Sequence, residues 1–232
     1  MILLSTSSGN PKILKSEKGT DFRIADLSLW PNLSICPGST AAGCFTDCLK
    51  MSGRGQMSSV QKARMRKTEL WMSDRPRFLE LLFDQIHRFI KSCKRSGHRA
   101  AARLNVLSDI PWEKFDVYQS FPELFGYDYT KRVARLGTTP KNYKLIFSYS
   151  GAPNYQGSVA KALKTSAPLA VVFRGGFPKS FLGREVIDGD ASDLVNVRAL
   201  GKVVALKVKG AGAKRSKSPF FIDNPELLPV AA

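Results

Sequence analysis

Cysteine is the residue type whose placement invites a chemical reading. Four cysteines occur in 232 residues, and three of them, Cys36, Cys44 and Cys48, fall within 13 positions as C-x7-C-x3-C. Such short intervals bring thiols together at little loop-closure cost. Clustered thiolates are soft ligands that suit zinc or an iron–sulfur cluster. A structural zinc site takes four ligands, and the candidates for a fourth, His87, Cys93 and His98, are distant along the chain. A cluster held by three cysteines would leave one iron open to a substrate or cofactor. The alternative is a set of buried or free thiols in a Gly/Ser loop. Cys93, near the end of an amphipathic segment, reads as a packing residue.

Three further groups have types and spacings suited to chemistry. Asp188, Asp190 and Asp193 form Asp-Gly-Asp-x-x-Asp. Clustered carboxylates bind Mg²⁺ or Mn²⁺ in metal-dependent nucleases, but the same pattern makes an Asp-Gly turn followed by a helix cap, and the turn is the favoured reading. Asp109 precedes Ile-Pro-Trp, so a rigid turn holds it, as a site residue or as a structural cap. Tyr127-Asp128-Tyr129-Thr130-Lys131-Arg132 interleaves aromatics with cations, which is how single strands are stacked and neutralised. Other chemistries lack their residues. No G-x4-G-K-[ST] phosphate loop and no G-x-S-x-G nucleophile elbow occurs, and with two histidines an H-E-x-x-H zinc site is absent.

The charge narrows the partner class. Thirty-six Lys and Arg stand against 19 Asp and Glu, a formal charge of +17. An excess of this size draws polyanions and makes nucleic acid the expected partner. It is concentrated: Lys50 to Arg103 holds 14 basic and 4 acidic residues, and Lys202 to Lys217 holds 6 basic and none acidic. Arg54, Arg64, Arg66, Lys67, Tyr129 and Arg132 are the candidate nucleic-acid contacts. The 43 % hydrophobic content supplies a core and argues against disorder. No run reaches the roughly 20 apolar residues of a membrane span. The start lacks a secretory signal pattern, so a cytoplasmic protein is expected.

The elements that position these residues read as repeated βα units. Asp21–Leu29 is a first strand, followed by the cysteine loop 34–57. A helix begins at the Ser58-Ser59 cap, and Phe78, Leu82, Ile86 and Phe89 fall at helical spacing in a second. Apolar runs at 101–107, 124–129, 143–147, 169–173 and 203–208 have the continuous character of buried parallel strands. The expected fold is α/β, a partial (β/α)6 TIM-like barrel in a single domain. The boundaries are an N-terminal arm at 1–20, the barrel-like domain at 21–222 and a C-terminal tail at 223–232. Chemistry in such folds gathers at the carboxyl ends of the strands. Cys36, Cys44, Cys48, Ser108, Asp109, Lys131, Ser148, Arg174 and Lys209 all follow strand ends.

Cys36-Pro37, Gly43-Cys44-x3-Cys48-Leu49 and Gly53-Arg54-Gly55 resemble a family of phage-encoded proteins. So do Arg103-Leu104-Asn105-x-x-Ser108-Asp109-Ile110-Pro111-Trp112-Glu113, Asn142-Tyr143-x-Leu145-x-Phe147-Ser148 and Val186-Ile187-Asp188-Gly189-Asp190-x-x-Asp193. The resemblance spans residues 25–222 and implies phage origin without implying an activity. The layout is also similar to radical S-adenosylmethionine enzymes, which carry a three-cysteine loop after strand one. Their usual spacing is C-x3-C-x2-C, and they have a Gly-Gly-Glu-type motif after strand two that this chain lacks. That similarity implies a [4Fe-4S] cluster on Cys36, Cys44 and Cys48, with S-adenosylmethionine met by Ser108, Asp109 and Ser148. Asp109, Lys131 and Lys209 would act at the mouth on a nucleic acid or nucleotide. Two other functions remain open: a non-enzymatic nucleic-acid-binding protein, zinc-bound or metal-free, acting in phage replication or host takeover, and a metal-dependent nuclease.

Overall fold

The computed structural model describes residues 1–6, 10–51 and 53–224. The chain runs through α1 (Pro11–Glu17), β1 (Phe22–Asp26), α2 (Ser58–Ser73), α3 (Arg75–Arg95), β2 (Arg99–Arg103), α4 (Val117–Ser120), β3 (Phe125–Thr130) and β4 (Tyr143–Ser148). It continues through α5 (Gln156–Leu163), β5 (Leu169–Arg174), β6 (Ser180–Phe181), β7 (Arg184–Asp188), α6 (Asp193–Asn196), β8 (Val203–Lys207), α7 (Ala211–Arg215) and β9 (Phe221–Asp223). All six expected strands form, as β1 to β5 and β8.

The helices follow from local sequence. Asp74 accepts a hydrogen bond from the Arg77 amide at 3.0 Å and caps α3, with Pro76 in the first turn. Phe78, Leu82, Ile86, Phe89 and Cys93 make its buried stripe, so Cys93 does pack in the core. In α2 the serines are not the cap. The helix includes Ser58, and Met57 occupies the cap position without a side-chain bond.

The nine-stranded sheet has the order β1-β2-β3-β4-β5-β8-β7-β6, parallel except for the β6–β7 hairpin. Consecutive steps in one direction place their right-handed crossovers on one face. That face packs on α2, α3 and α4 through Trp71, Phe78 and Tyr118, and on α5 through Val159 and Ala162. The step from β7 back to β8 reverses direction and sends α6 to the other face. There Leu194 and Val197 join Ile13 of α1 over Ile24, Ala101, Tyr127, Ile146 and Ala170.

The sheet does not close, which corrects the expected barrel. The face that would line a barrel is filled by α1 and α6. The outer edge of β1 is sealed by a bridge to Ser5, with both N···O distances 2.9 Å, and by the Glu17 carboxylate, which accepts from the Ile24 amide at 2.7 Å. The described residues of the N-terminal arm, 1–6 and 10–20, pack onto this edge. Leu3 and Leu4 are buried, and the Gln85 side-chain Oε1 accepts from both of their amides, at 2.7 and 3.0 Å. At the other end of the chain β9 pairs with Val172–Arg174, beside the point where β4 leaves β5. Of the expected tail, residues 225–232 lie outside the described residues. Among the described residues no helix is long and apolar enough to cross a membrane.

Candidate functional site

Parallel pairing delivers the carboxyl ends of β1 to β5 and β8 to one edge, and the cysteine loop is built there. Its turns are local: the Cys36 amide donates to Asn32 O at 3.0 Å, Ser39 Oγ to Cys36 O at 2.6 Å, and the Cys44 amide to Ser39 O at 3.0 Å. Its position is set by neighbours. Ser150 Oγ donates to Ala42 O at 2.8 Å, and Ser216 Oγ to the Asp47 carboxylate at 2.5 Å. Gly38 lies so near β3 that an added Cβ would stand 2.9 Å from the Lys131 Cβ.

Lys131 is the charge at the centre of this loop. Burial pushes the Cys36 thiol up to about 11, with the Lys131 ammonium opposing the shift. Burial also raises Cys44, again with the Lys131 ammonium opposing the shift. For Lys131 burial works downward, but Cys44, Cys36, Asp109 and Cys48 outweigh it and hold the amine above its ordinary value. The three thiols and the ammonium thus share one electrostatic neighbourhood. Among the described residues no three His, Cys, Asp or Glu side chains converge to grip a metal ion. Cys93 and His98 sit just before β2 at the opposite, amino edge, and His87 lies within α3, so none of them supplies a fourth ligand here.

Asp109 is committed to structure. Its Oδ1 accepts from Thr130 Oγ1 at 2.8 Å and from Arg135 Nη1 at 2.5 Å, and its Oδ2 from the Lys131 amide at 2.8 Å. Its own amide donates to Ile35 O at 2.8 Å, tying the loops after β1, β2 and β3. Arg135 makes a two-pronged pair with Glu113, both contacts 2.8 Å, and donates to Tyr143 OH at 2.9 Å. Tyr143 OH donates in turn to Asp128 Oδ2 at 2.8 Å, while the Asn105 amide donates to Asp128 Oδ1 at 2.7 Å. Ser108 Oγ joins through Asn105 Oδ1 at 2.8 Å. Sequence reasoning missed Asn105, Glu113, Asp128, Arg135 and Tyr143. The one available signal was an Asp inside an otherwise apolar strand. Burial raises Asp128 to about 7 despite these donors.

Of the other candidates, Ser148 and Arg132 stay beside Lys131 and Arg54 lies in the loop, while the remainder lie elsewhere. The Ser148 carbonyl accepts from Tyr155 OH at 3.0 Å, and that hydroxyl also lies 2.8 Å from Lys131 O. Lys209 ion-pairs with Asp190 at 2.8 Å and is not grouped with Lys131. Asp188 accepts from the Asp190 amide at 2.8 Å in the expected turn. Asp193 ion-pairs with Lys12 at 2.7 Å and with Arg103 at 2.9 Å, so the three acids have separate partners. Tyr129 points into the α1/α6 layer: its hydroxyl donates to Asp193 at 2.7 Å, and Lys12 and Arg103 lie over its ring at 5.1 and 4.9 Å. It is a packing residue, not an open stacking surface. Arg64 and Lys67 donate to the Lys50 and Leu3 carbonyls at 3.3 and 2.7 Å. Arg54 and Arg66 are exposed and Arg132 is half-buried.

A family model described as Gene product 88 matches residues 3–224. The chain belongs to the Gene product 88 family. This is a phage-type family, in agreement with the resemblance carried by the cysteine loop. No curated protein and no solved structure matches the chain. For this Gene product 88 member, function is therefore argued from the carboxyl edge itself.

Proposed function

We propose that the protein binds nucleic acid across the carboxyl edge of its sheet, in the cytoplasm of a phage-infected cell. The observation that carries this is a charge imbalance at that edge. Lys50, Arg54 and Arg132 have no ion-pair partner among the described residues, and neither do Lys62 and Arg66 on α2. Three of the acids nearby are paired, Asp109 with Arg135, Asp190 with Lys209 and Asp223 with Arg174, while Asp47 accepts from Ser216 Oγ. Phosphates would complete the unpaired cations. Binding should then weaken steeply with salt, with a log–log slope near −3 for about four contacts on a single strand. Replacing Arg132 with alanine should reduce that slope by about 0.7. An affinity absent at about 50 mM salt, or indifferent to salt, overturns the reading.

A second reading keeps an iron–sulfur cluster on Cys36, Cys44 and Cys48. It is favoured by the shared neighbourhood of the three sulfurs and Lys131 at the carboxyl edge of the parallel strands. A polynuclear cluster holds its thiolates on separate irons and does not require them to converge as a single zinc ion does. Ser108 and Asp109 would support such a centre by position, their polar groups being already bonded. Anaerobically purified protein should be brown with about four irons. Colourless protein with one zinc would favour the zinc alternative, and metal-free protein would leave nucleic-acid binding alone.

A further inference from the structure

Trp30 and Phe45 lie outside all three core clusters. Both are partly exposed, on the stretch that leads from β1 through the cysteine loop. Lys50 stands between them, its ammonium 5.5 Å from the Trp30 ring centre and 5.1 Å from that of Phe45. Among the described residues no carboxylate is within ion-pair distance of Lys50. Its charge is met by ring faces alone, an attraction that is modest at exposed sites.

The group is rigid. The Trp30 amide donates to Thr68 Oγ1 on α2 at 2.8 Å. Lys50 O accepts from Arg64 of the same helix at 3.3 Å. The chain returns so close at Gly55 that a Cβ there would lie 2.1 Å from Lys50 O, so only glycine permits this fold of the loop. Exposed cations at Arg54, Lys62 and Arg66 continue beyond it.

Resting on the nucleic-acid reading above, we infer that Trp30 and Phe45 form a base-stacking platform for single-stranded nucleic acid, with Lys50 and Arg54 taking the flanking phosphates. Every base offers a π-face, so recognition would tolerate sequence. Paired bases are stacked inside a duplex and would be excluded.

Trp71 and Trp112 are buried at 4 % and 0 % exposure and pack edge-to-face at 5.4 Å, so Trp30 is the indole that a ligand reaches. The test titrates the full chain with oligothymidylate of about 12 nucleotides and with inorganic polyphosphate of equal charge, following tryptophan emission and polarisation. The expected result is quenching by the oligonucleotide only, lost in Trp30→Phe. Affinity for it should fall about tenfold or more in Phe45→Ala, with Phe45→Leu as a check in a variant that keeps apolar bulk. If the two polymers bind equally and Phe45→Ala changes nothing, stacking is wrong and polyanion binding stands. If neither polymer binds at low salt, both this inference and the reading beneath it fail.

Discussion

Replacing Arg135 with methionine removes the one cation between two buried carboxylates. The Arg135, Asp109 and Glu113 side chains are 3 %, 1 % and 7 % exposed, so water cannot replace the lost partner. Breaking a buried pair by removing one member costs roughly 3–5 kcal/mol. Here two acids lose the same partner, and the upper part of that range is expected. Asp109 keeps its bonds from Thr130 and the Lys131 amide, which holds the cost from doubling. A domain stability of about 5–15 kcal/mol would survive, with the urea midpoint lowered by about 2 M. The sign with pH is also set. An orphaned carboxylate escapes its penalty by binding a proton, so the deficit against wild type should be larger at about pH 8 than at about pH 5.5. Urea unfolding followed by circular dichroism at both pH values measures it. A deficit under about 1 kcal/mol, well below the buried-pair range, or one that does not respond to pH, would refute the account of Arg135 as the hub of the edge.

Asp128 supplies a second prediction. Its folded-state value near 7 lies above the ordinary 3.8, so the folded chain holds the proton more tightly. That stability is fully present below the ordinary value and is lost as pH rises toward about 7, at up to about 1.4 kcal/mol per unit. Asp128→Asn should flatten the slope, and equal slopes in the two proteins would count against it. Asp193 acts in the opposite sense. Burial opposes its charge, but Arg103 and Lys12 win and hold it below the ordinary value, so its contribution is lost only as pH falls through that lower range. Lys12→Met should release α1, raising amide exchange over residues 12–17 while leaving α3 unchanged; uniform protection would contradict the role given to the Lys12–Asp193 pair.

The six main strands were legible because both of their faces are covered, which forces continuous apolar runs such as Val203–Ala205. The β6–β7 hairpin was not, because its residues are largely exposed and half-buried. β9 is only three residues long. Tyr129 was misread because an aromatic among cations looks the same on either face of a strand. Period-two alternation puts it with Tyr127, toward α1 and α6. Arg135 had no local mark among 36 cations. Its role depends on Asp109 and Glu113, 26 and 22 positions away. The cysteine spacing pointed to the right edge of the sheet, but the placement of Lys131 against the thiols needed the fold.

β9 also sets an order of events during synthesis. The cysteine loop, the sheet edge beneath it and the Arg135 hub are all encoded before residue 175. The segment that latches the loop through Ser216, and the Phe220 ring 5.7 Å from the Lys131 ammonium, arrive only near the end of the described chain. Until residues 216–223 have been made, the loop lacks its bonds from Ser216 to Asp47 and from Ser218 to the Gly43 carbonyl. The segment that ends in the last strand to be made is thus the one that fastens the cysteine loop to the sheet.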